Sequence, residues 1–343
     1  MRYVVFGAGA IGGAIGGRLF ESGQPVVLVA RGEHQQALTE RGLELRDPDS
    51  TALLKIPTVG SIAEAEPRAG DVVILAVKSQ HTGAALDELA ASAPQSITLV
   101  CAQNGVANER AGLRLFSRVY GMRVILAASH LEPGVVEIST APVAGILAVG
   151  RYPGGTDETA TKLAGDLCVA RFDAEAVQDV MAHKYLKLLT NLGNAIEAAC
   201  GADRLDDPVA KSLEEEAKAE ARRCFEAAGI TLADAAVEAD QRRRRGPPRP
   251  VLGVTRRGGS SHQSLARATG DIEADWLNGE IVLLGRLHGI ETPVNARLQH
   301  VANTMARSRS VPGSVPLSEL LATGPRSRSM LRSRSMPGLG AGT

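Results

Sequence analysis

Apolar residues fall in short unbroken runs over the first half of the chain and in helical stretches over the second. Tyr3-Val4-Val5-Phe6, Pro25 to Val29, Asp71 to Val77 and Ser96 to Cys101 are such runs. A run without polar alternation predicts a strand covered on both faces. Helix-compatible stretches, Ala14 to Ser22 and Thr82 to Ala91, lie between them. Strand and helix in alternation predict a parallel, doubly wound sheet. Further strands are predicted over Arg123 to Ala128, Gly134 to Ser139 and Gly145 to Val149, with a turn at Glu132-Pro133-Gly134. These are expected to extend the sheet with an antiparallel edge.

The pattern changes near Arg171. From Ala174 to about Ala235 the chain is rich in Ala, Leu, Glu and Lys, which favours helix. One long helix is predicted over 174–199, ending at Gly201. A second runs over 208–228 before Gly229, and a third over 273–288 before Gly289, with glycine ending each. The reading is an α/β doubly wound domain over 1–172 and an all-α domain over 173–306. A low-complexity tail over 307–343 carries Arg-Ser-Arg-Ser from Arg307, Arg326 and Arg332, and is expected to be disordered.

Bulk properties narrow the classes. Net charge is zero, which argues against a nucleic-acid partner, and aromatic content of 3% argues against base-stacking platforms. No apolar run reaches membrane-spanning length, so no membrane partner is expected. Cys101, Cys168, Cys200 and Cys224 are scattered and form no C-x-x-C pair. With no visible signal peptide, that predicts reduced thiols in a cytoplasmic protein.

The first strand runs directly into Gly7-Ala8-Gly9-Ala10-Ile11-Gly12, a G-x-G-x-x-G turn inside a βαβ unit. Such a turn opens a Rossmann-type dinucleotide site. Gly7 permits the tight turn, Gly9 the close approach of a pyrophosphate, and Gly12 the packing of helix on strand. The helix N-terminus then faces the phosphates. After the second strand stands Ala30-Arg31-Gly32, with no carboxylate to hold a ribose 2′-hydroxyl. Arg31 suits a 2′-phosphate, so NADP(H) is the expected cofactor.

The segment around residue 187 is apolar almost all round, yet Lys187, Asn191 and Asn194 share one face at i, i+4 and i+7. A buried lysine with a depressed pKa can deliver a proton. The same spacing also suits a stripe facing water or a domain interface. Glu273, at a helix start, could hold an ammonium, or merely complement the helix dipole. Residues 241–259 hold seven Arg and three Pro with no acid. They read as a solvated loop, or as a mobile loop that draws anions to the cleft.

The order of these motifs resembles the ketopantoate reductase (2-dehydropantoate 2-reductase) family, from Met1 to about Val301. The resemblance rests on Gly7 to Gly12, Arg31, Ala76-Val77-Lys78-Ser79-Gln80 and Gln103-Asn104-Gly105-Val106. It continues through Tyr185 to Asn191, Ser260-Ser261 and Glu273 to Gly279. It implies NADPH-dependent reduction of a branched 2-keto acid, ketopantoate to (R)-pantoate, in pantothenate and coenzyme A biosynthesis. Another 2-oxo acid, or a non-catalytic NADP(H) sensor, are the alternatives. By resemblance Lys187 is the general acid, and Glu273 positions it and the substrate hydroxyl. Asn104 and Lys78 lie beside the nicotinamide ribose and substrate. Asn191 and Asn194 orient substrate, Ser261 binds its carboxylate, and a homodimer is implied. Lys184 is a rival lysine out of register. The basic insert and the tail depart from the family pattern.

Overall fold

The apolar runs form the middle of an eight-stranded sheet in a computed structural model that describes residues 1–256 and 258–321. The chain begins β1 (Tyr3–Phe6), α1 (Ala10–Glu21), β2 (Val26–Val29), α2 (Gly32–Arg41), β3 (Leu43–Arg46), β4 (Thr51–Leu54), β5 (Thr58–Val59) and β6 (Val72–Leu75). It continues α3 (Thr82–Ser92), β7 (Thr98–Cys101), α4 (Asn108–Leu113), β8 (Arg118–Ile125), β9 (Ala128–Ser129), β10 (Val135–Ile138), β11 (Gly145–Arg151), α5 (Glu158–Val169) and β12 (Phe172–Ala176). The order across the large sheet is β12-β11-β8-β7-β6-β1-β2-β5. β1 lies between β2 and β6, parallel to both. The chain winds outward one way to β5, then crosses β1 and winds the other way. Ligands bind at such a switch point, outside the C-terminal ends of the strands. β11 runs antiparallel to β8, as the expected edge does.

The strand expected over Gly134 to Ser139 is β10, but it does not extend the large sheet: it belongs to a second sheet, β4-β3-β10-β9, which the sequence reading did not foresee. Its Leu43-Glu44-Leu45-Arg46 alternates buried and partly buried positions, so only one face is covered. That face lies on α1, whose glycines explain themselves here. A Cβ on Gly16 would press on Leu28 and Val5 of the large sheet. One on Gly17 would press on Leu43 and Leu45 of the small sheet. Helical glycine costs about 1 kcal/mol relative to alanine. Here it lets one helix lie close between two sheets.

The second half is helical: α6 (Val180–Asn191), α7 (Asn194–Cys200), α8 (Pro208–Ala227), α9 (Ala235–Arg245), α10 (Ser260–Ala266), α11 (Asn278–His288), α12 (Pro293–Arg307) and α13 (Leu317–Leu321). The single helix expected over 174–199 is corrected. Residues 174–176 belong to β12, paired with β11. Asp179 then caps α6, its side chain accepting from the Ala182 N–H. The helix breaks at Leu192-Gly193, where a Cβ on Gly193 would lie 3.0 Å from the Glu214 carboxyl of α8. The Leu192 carbonyl accepts from Asn278 Nδ2 at 3.2 Å. The third predicted helix starts as a short 3-10 turn over Glu273–Trp276 before α11.

The disorder expected from residue 307 is corrected for 308–321. Gly313 and Val315 donate to the carbonyls of Ala198 and Ala199, and Leu320 joins the helical core. Apolar Val315, Leu317 and Leu320 interrupt the polar repeat and find that core. Residues 322–343 of the tail lie outside the described residues. The basic stretch expected as a loop begins inside α9, whose last turn holds Arg242 to Arg245, cations that complement the helix dipole. Among the described residues no helix is long and apolar enough to cross a membrane.

Candidate active site

A cavity of about 750 Å³ opens at the switch point and reaches the helical half. Gly7, Ala8, Gly9, Ala10 and Ile11 form one end of it, with Arg31 close by. Gly7 has φ +102°, and a Cβ there would meet the Val77 N–H nitrogen at 2.9 Å. A Cβ on Gly9 would meet nothing within 4 Å, so the backbone faces open space. A Cβ on Gly12 would collide with the Gly7 carbonyl and Val5, so Gly12 serves the turn's packing rather than lining the cavity. α1 has no side-chain cap and no acid in its first turn. Its free N–H groups are available to an anion.

Arg31 precedes α2 and is mostly exposed. Its Nη2 donates to both Glu88 carboxylate oxygens, at 2.5 and 2.7 Å. His34, one turn on, lines the cavity and was not singled out by sequence reasoning. Its Nδ1 accepts from the Gly134 N–H at 3.0 Å, so Nε2 donates to the Ala8 carbonyl at 2.8 Å. Burial, and the tilted ring of His130 with its centroid 4.0 Å away, push its pKa down to about 4, so it is neutral near pH 7.

At the mid-cavity the two halves meet. Gly105, φ +75°, brings the loop after β7 against the Trp276 carbonyl; a Cβ there would lie 2.8 Å from it. That approach sets Glu273 beside the loop after β6. Lys78 Nζ donates to Glu273 Oε2 at 2.5 Å, and the Ser79 N–H and Oγ both donate to Oε1 at 3.1 Å. Burial pushes the Glu273 carboxyl up, but the Lys78 charge and these hydrogen bonds outweigh it and hold it below the usual carboxylate range. The expectation that Glu273 positions Lys187 is corrected: Glu273 is taken by Lys78 and Ser79. The linkage spans 195 residues in sequence, beyond any local pattern.

Lys187 projects from α6 into the same cavity. Its Nζ donates to Asn104 Oδ1 at 2.8 Å and to the Val124 carbonyl. Burial lowers its pKa to about 7, helped by Arg123, Arg242 and Lys184 and opposed by Glu238. Asn191 and Asn194 line the cavity too, so the i, i+4, i+7 stripe faces it even across the helix break. Asn191 Nδ2 is buried with no hydrogen-bond partner. Lys184 is paired with Glu109 of α4, both side chains nearly inaccessible.

Ser261 is the second correction. It is buried inside α10, while Ser260 and Gln263, on another face of that helix, line the cavity. Sequence reasoning chose between adjacent serines without knowing where α10 begins. Arg256, from the basic stretch, lines the cavity as well.

The two halves match two family descriptions. "Ketopantoate reductase PanE/ApbA" spans residues 3–154, and "Ketopantoate reductase PanE/ApbA C terminal" spans residues 179–306. A 2-dehydropantoate 2-reductase of Pyrococcus horikoshii is 30% identical over 303 residues, which cover 86% of this chain and 94% of that one. The crystal structure of a PanE/ApbA family ketopantoate reductase from Ralstonia eutropha JMP134 matches with a TM-score of 0.76 at 26% identity, covering 90% of this chain and 99% of the other. D-mandelate dehydrogenase, solved with NADH and anilino(oxo)acetate, has a TM-score of 0.78 at 23% identity over 90% of this chain and 99% of its own, and shares the fold.

Proposed function

The chain belongs to the ketopantoate reductase family, and from that premise we propose that this oxidoreductase reduces ketopantoate to (R)-pantoate with NADPH, in the route to pantothenate and coenzyme A. The observation that carries the reading is one cavity lined by both the glycine turn and Lys187. The uncapped α1 N-terminus, its first turn free of acids, and the open space over Gly9 fit the phosphates of a dinucleotide. The nicotinamide, when bound, supplies the hydride.

The protein's own groups supply the rest. Hydride addition builds negative charge on the ketone oxygen. The Lys187 ammonium stabilises that charge and gives its proton to the oxygen. Asn104 Oδ1 and the Val124 carbonyl orient Nζ for the transfer. The unpartnered Asn191 amide offers a donor to a substrate oxygen. Asn194 borders the same space, and the Glu273 carboxylate, fixed by Lys78 and Ser79, is an acceptor for the substrate's hydroxyl.

Consumption of NADPH tests the proposal with ketopantoate and a panel of simpler 2-oxo acids. Ketopantoate is expected to lead in kcat/KM by about tenfold or more, the worth of a few extra contacts in a fitted pocket. A simpler 2-oxo acid reduced as fast overturns the substrate; no reduction of any overturns the reading as a reductase.

Arg31 carries the cofactor preference. A 2′-phosphate would draw its guanidinium from Glu88. Arg31→Ala is expected to weaken NADPH by about 1.5 kcal/mol and to leave NADH nearly untouched. That is the low end for a hydrogen bond to a charged group, because the side chain is exposed and Glu88 competes. Fluorescence titration of both cofactors decides it, and equal losses remove the 2′-phosphate role.

A further inference from the structure

The basic stretch 241–259 is explained by the fold only in part. Arg242 bonds Glu238, Arg243 and Arg244 bond Asp240, and Arg249 bonds Asp49. Arg256 differs from all four. It lines the same cavity as Lys187, on the loop that leads into Ser260 and α10. No carboxylate lies within ion-pair distance of it among the described residues. With the Gln263 amide turned to accept, its Oε1 takes Nη2 and Nε of Arg256 at 3.1 and 3.2 Å. A neutral amide oxygen orients the guanidinium but does not balance its charge. Glu197 acts on Arg256 through its field alone: its two oxygens share the Gly259 N–H at 2.9 Å and make no ion pair with the guanidinium.

Two other cations that line the cavity are held in ion pairs. Lys78 is matched by Glu273 and Arg31 by Glu88. Arg267, at the far end of α10, likewise has no ion pair among the described residues and sits in the field of Asp271 and Glu273, but its Nη2 reaches only Ser264 Oγ, at 3.5 Å, so its fork is not oriented as that of Arg256 is. Lys187 is needed at the ketone oxygen. A partly buried guanidinium with no carboxylate in ion-pair contact keeps its planar fork open to one held by two parallel hydrogen bonds. The cofactor's phosphates are met at the opposite end, by the glycine turn and Arg31.

Resting on the reading of the site as a 2-oxo acid reductase, we propose that Arg256 is the residue that selects a carboxylate on the substrate. The sequence resemblance gave the substrate carboxylate to Ser261, which is buried in the first turn of α10; Arg256 would meet that carboxylate from the loop before it. Gln263 is then a positioning residue, which fixes the fork through Nε and Nη2.

The test compares a reducible 2-oxo acid with its methyl ester in the wild type, R256Q and R256K, all loaded with NADPH. In R256Q the preference for acid over ester, as a ratio of kcat/KM, is expected to fall about 10- to 100-fold, the span of a lost charged hydrogen bond. The loss should sit in KM rather than kcat. R256K, which keeps the charge without the fork, should recover part of the preference. An unchanged ratio in R256Q overturns the proposal. So does a loss of NADPH affinity with the ratio intact, which would make the cofactor the anion concerned. Absence of 2-oxo acid reduction in the wild type would instead sink the underlying reading.

Discussion

Lys187→Ala is expected to lower turnover roughly 10²–10⁴-fold, the usual worth of general acid catalysis. NADPH should still bind, because the phosphate-binding turn is built from β1 and α1 alone. The pH profile carries a second, sharper expectation. The acid must hold its proton to donate it, and the Lys187 pKa is lowered to about 7 by burial and by the nearby cations. Reduction should therefore be fastest below pH 7 and fall as pH rises through that value. An unperturbed lysine would hold the plateau to about pH 10. In the alanine variant the remaining activity should lose this descending limb. Turnover unchanged by the substitution, or a limb that rises with pH, removes Lys187 as the donor.

Lys184→Met should act on the fold instead. It lies one turn before Lys187, yet its ammonium is locked on Glu109, and the two side chains are 2% and 0% exposed. Removing one partner leaves a buried charge unpaired, which costs about 3–5 kcal/mol. Denaturant unfolding should show the loss as a lower midpoint. Replacing both residues, Lys184→Met with Glu109→Leu, should recover most of it, because a buried ion pair and a well-packed apolar pair are often similar in stability. A single variant of normal stability that has lost turnover would reverse the roles of the two lysines.

These two lysines show how much was legible beforehand. The register of Lys187 with Asn191 and Asn194 is a local, helical property, and sequence spacing suffices to read it. So is the strand-turn-helix of Tyr3 to Glu21, whose apolar run and G-x-G-x-x-G spacing lie within one short stretch of chain. The partner of Glu273 is different in kind. Lys78 and Glu273 come together because Gly105 lets one half approach the other, and no periodicity reports that contact. The choice between Ser260 and Ser261 hinged on the phase of α10, and one residue rotates a helical side chain by about 100°. The break at Gly193 was hidden because the residues that meet it, Glu214 and Asn278, lie far away in sequence. Of the small sheet only β10 was legible, because Leu43-Glu44-Leu45-Arg46 and Thr51-Ala52-Leu53-Leu54 carry polar residues within so short a span and form no unbroken apolar run.

The four glycines of α1 have a mechanical consequence. Held close to a sheet on each side, this helix cannot slide or tilt without collision against Leu28, Val5, Leu43 or Leu45. The turn that receives the phosphates is therefore an anvil, fixed to both sheets at once. Any widening or narrowing of the cleft then leaves the shape of the cofactor seat unchanged.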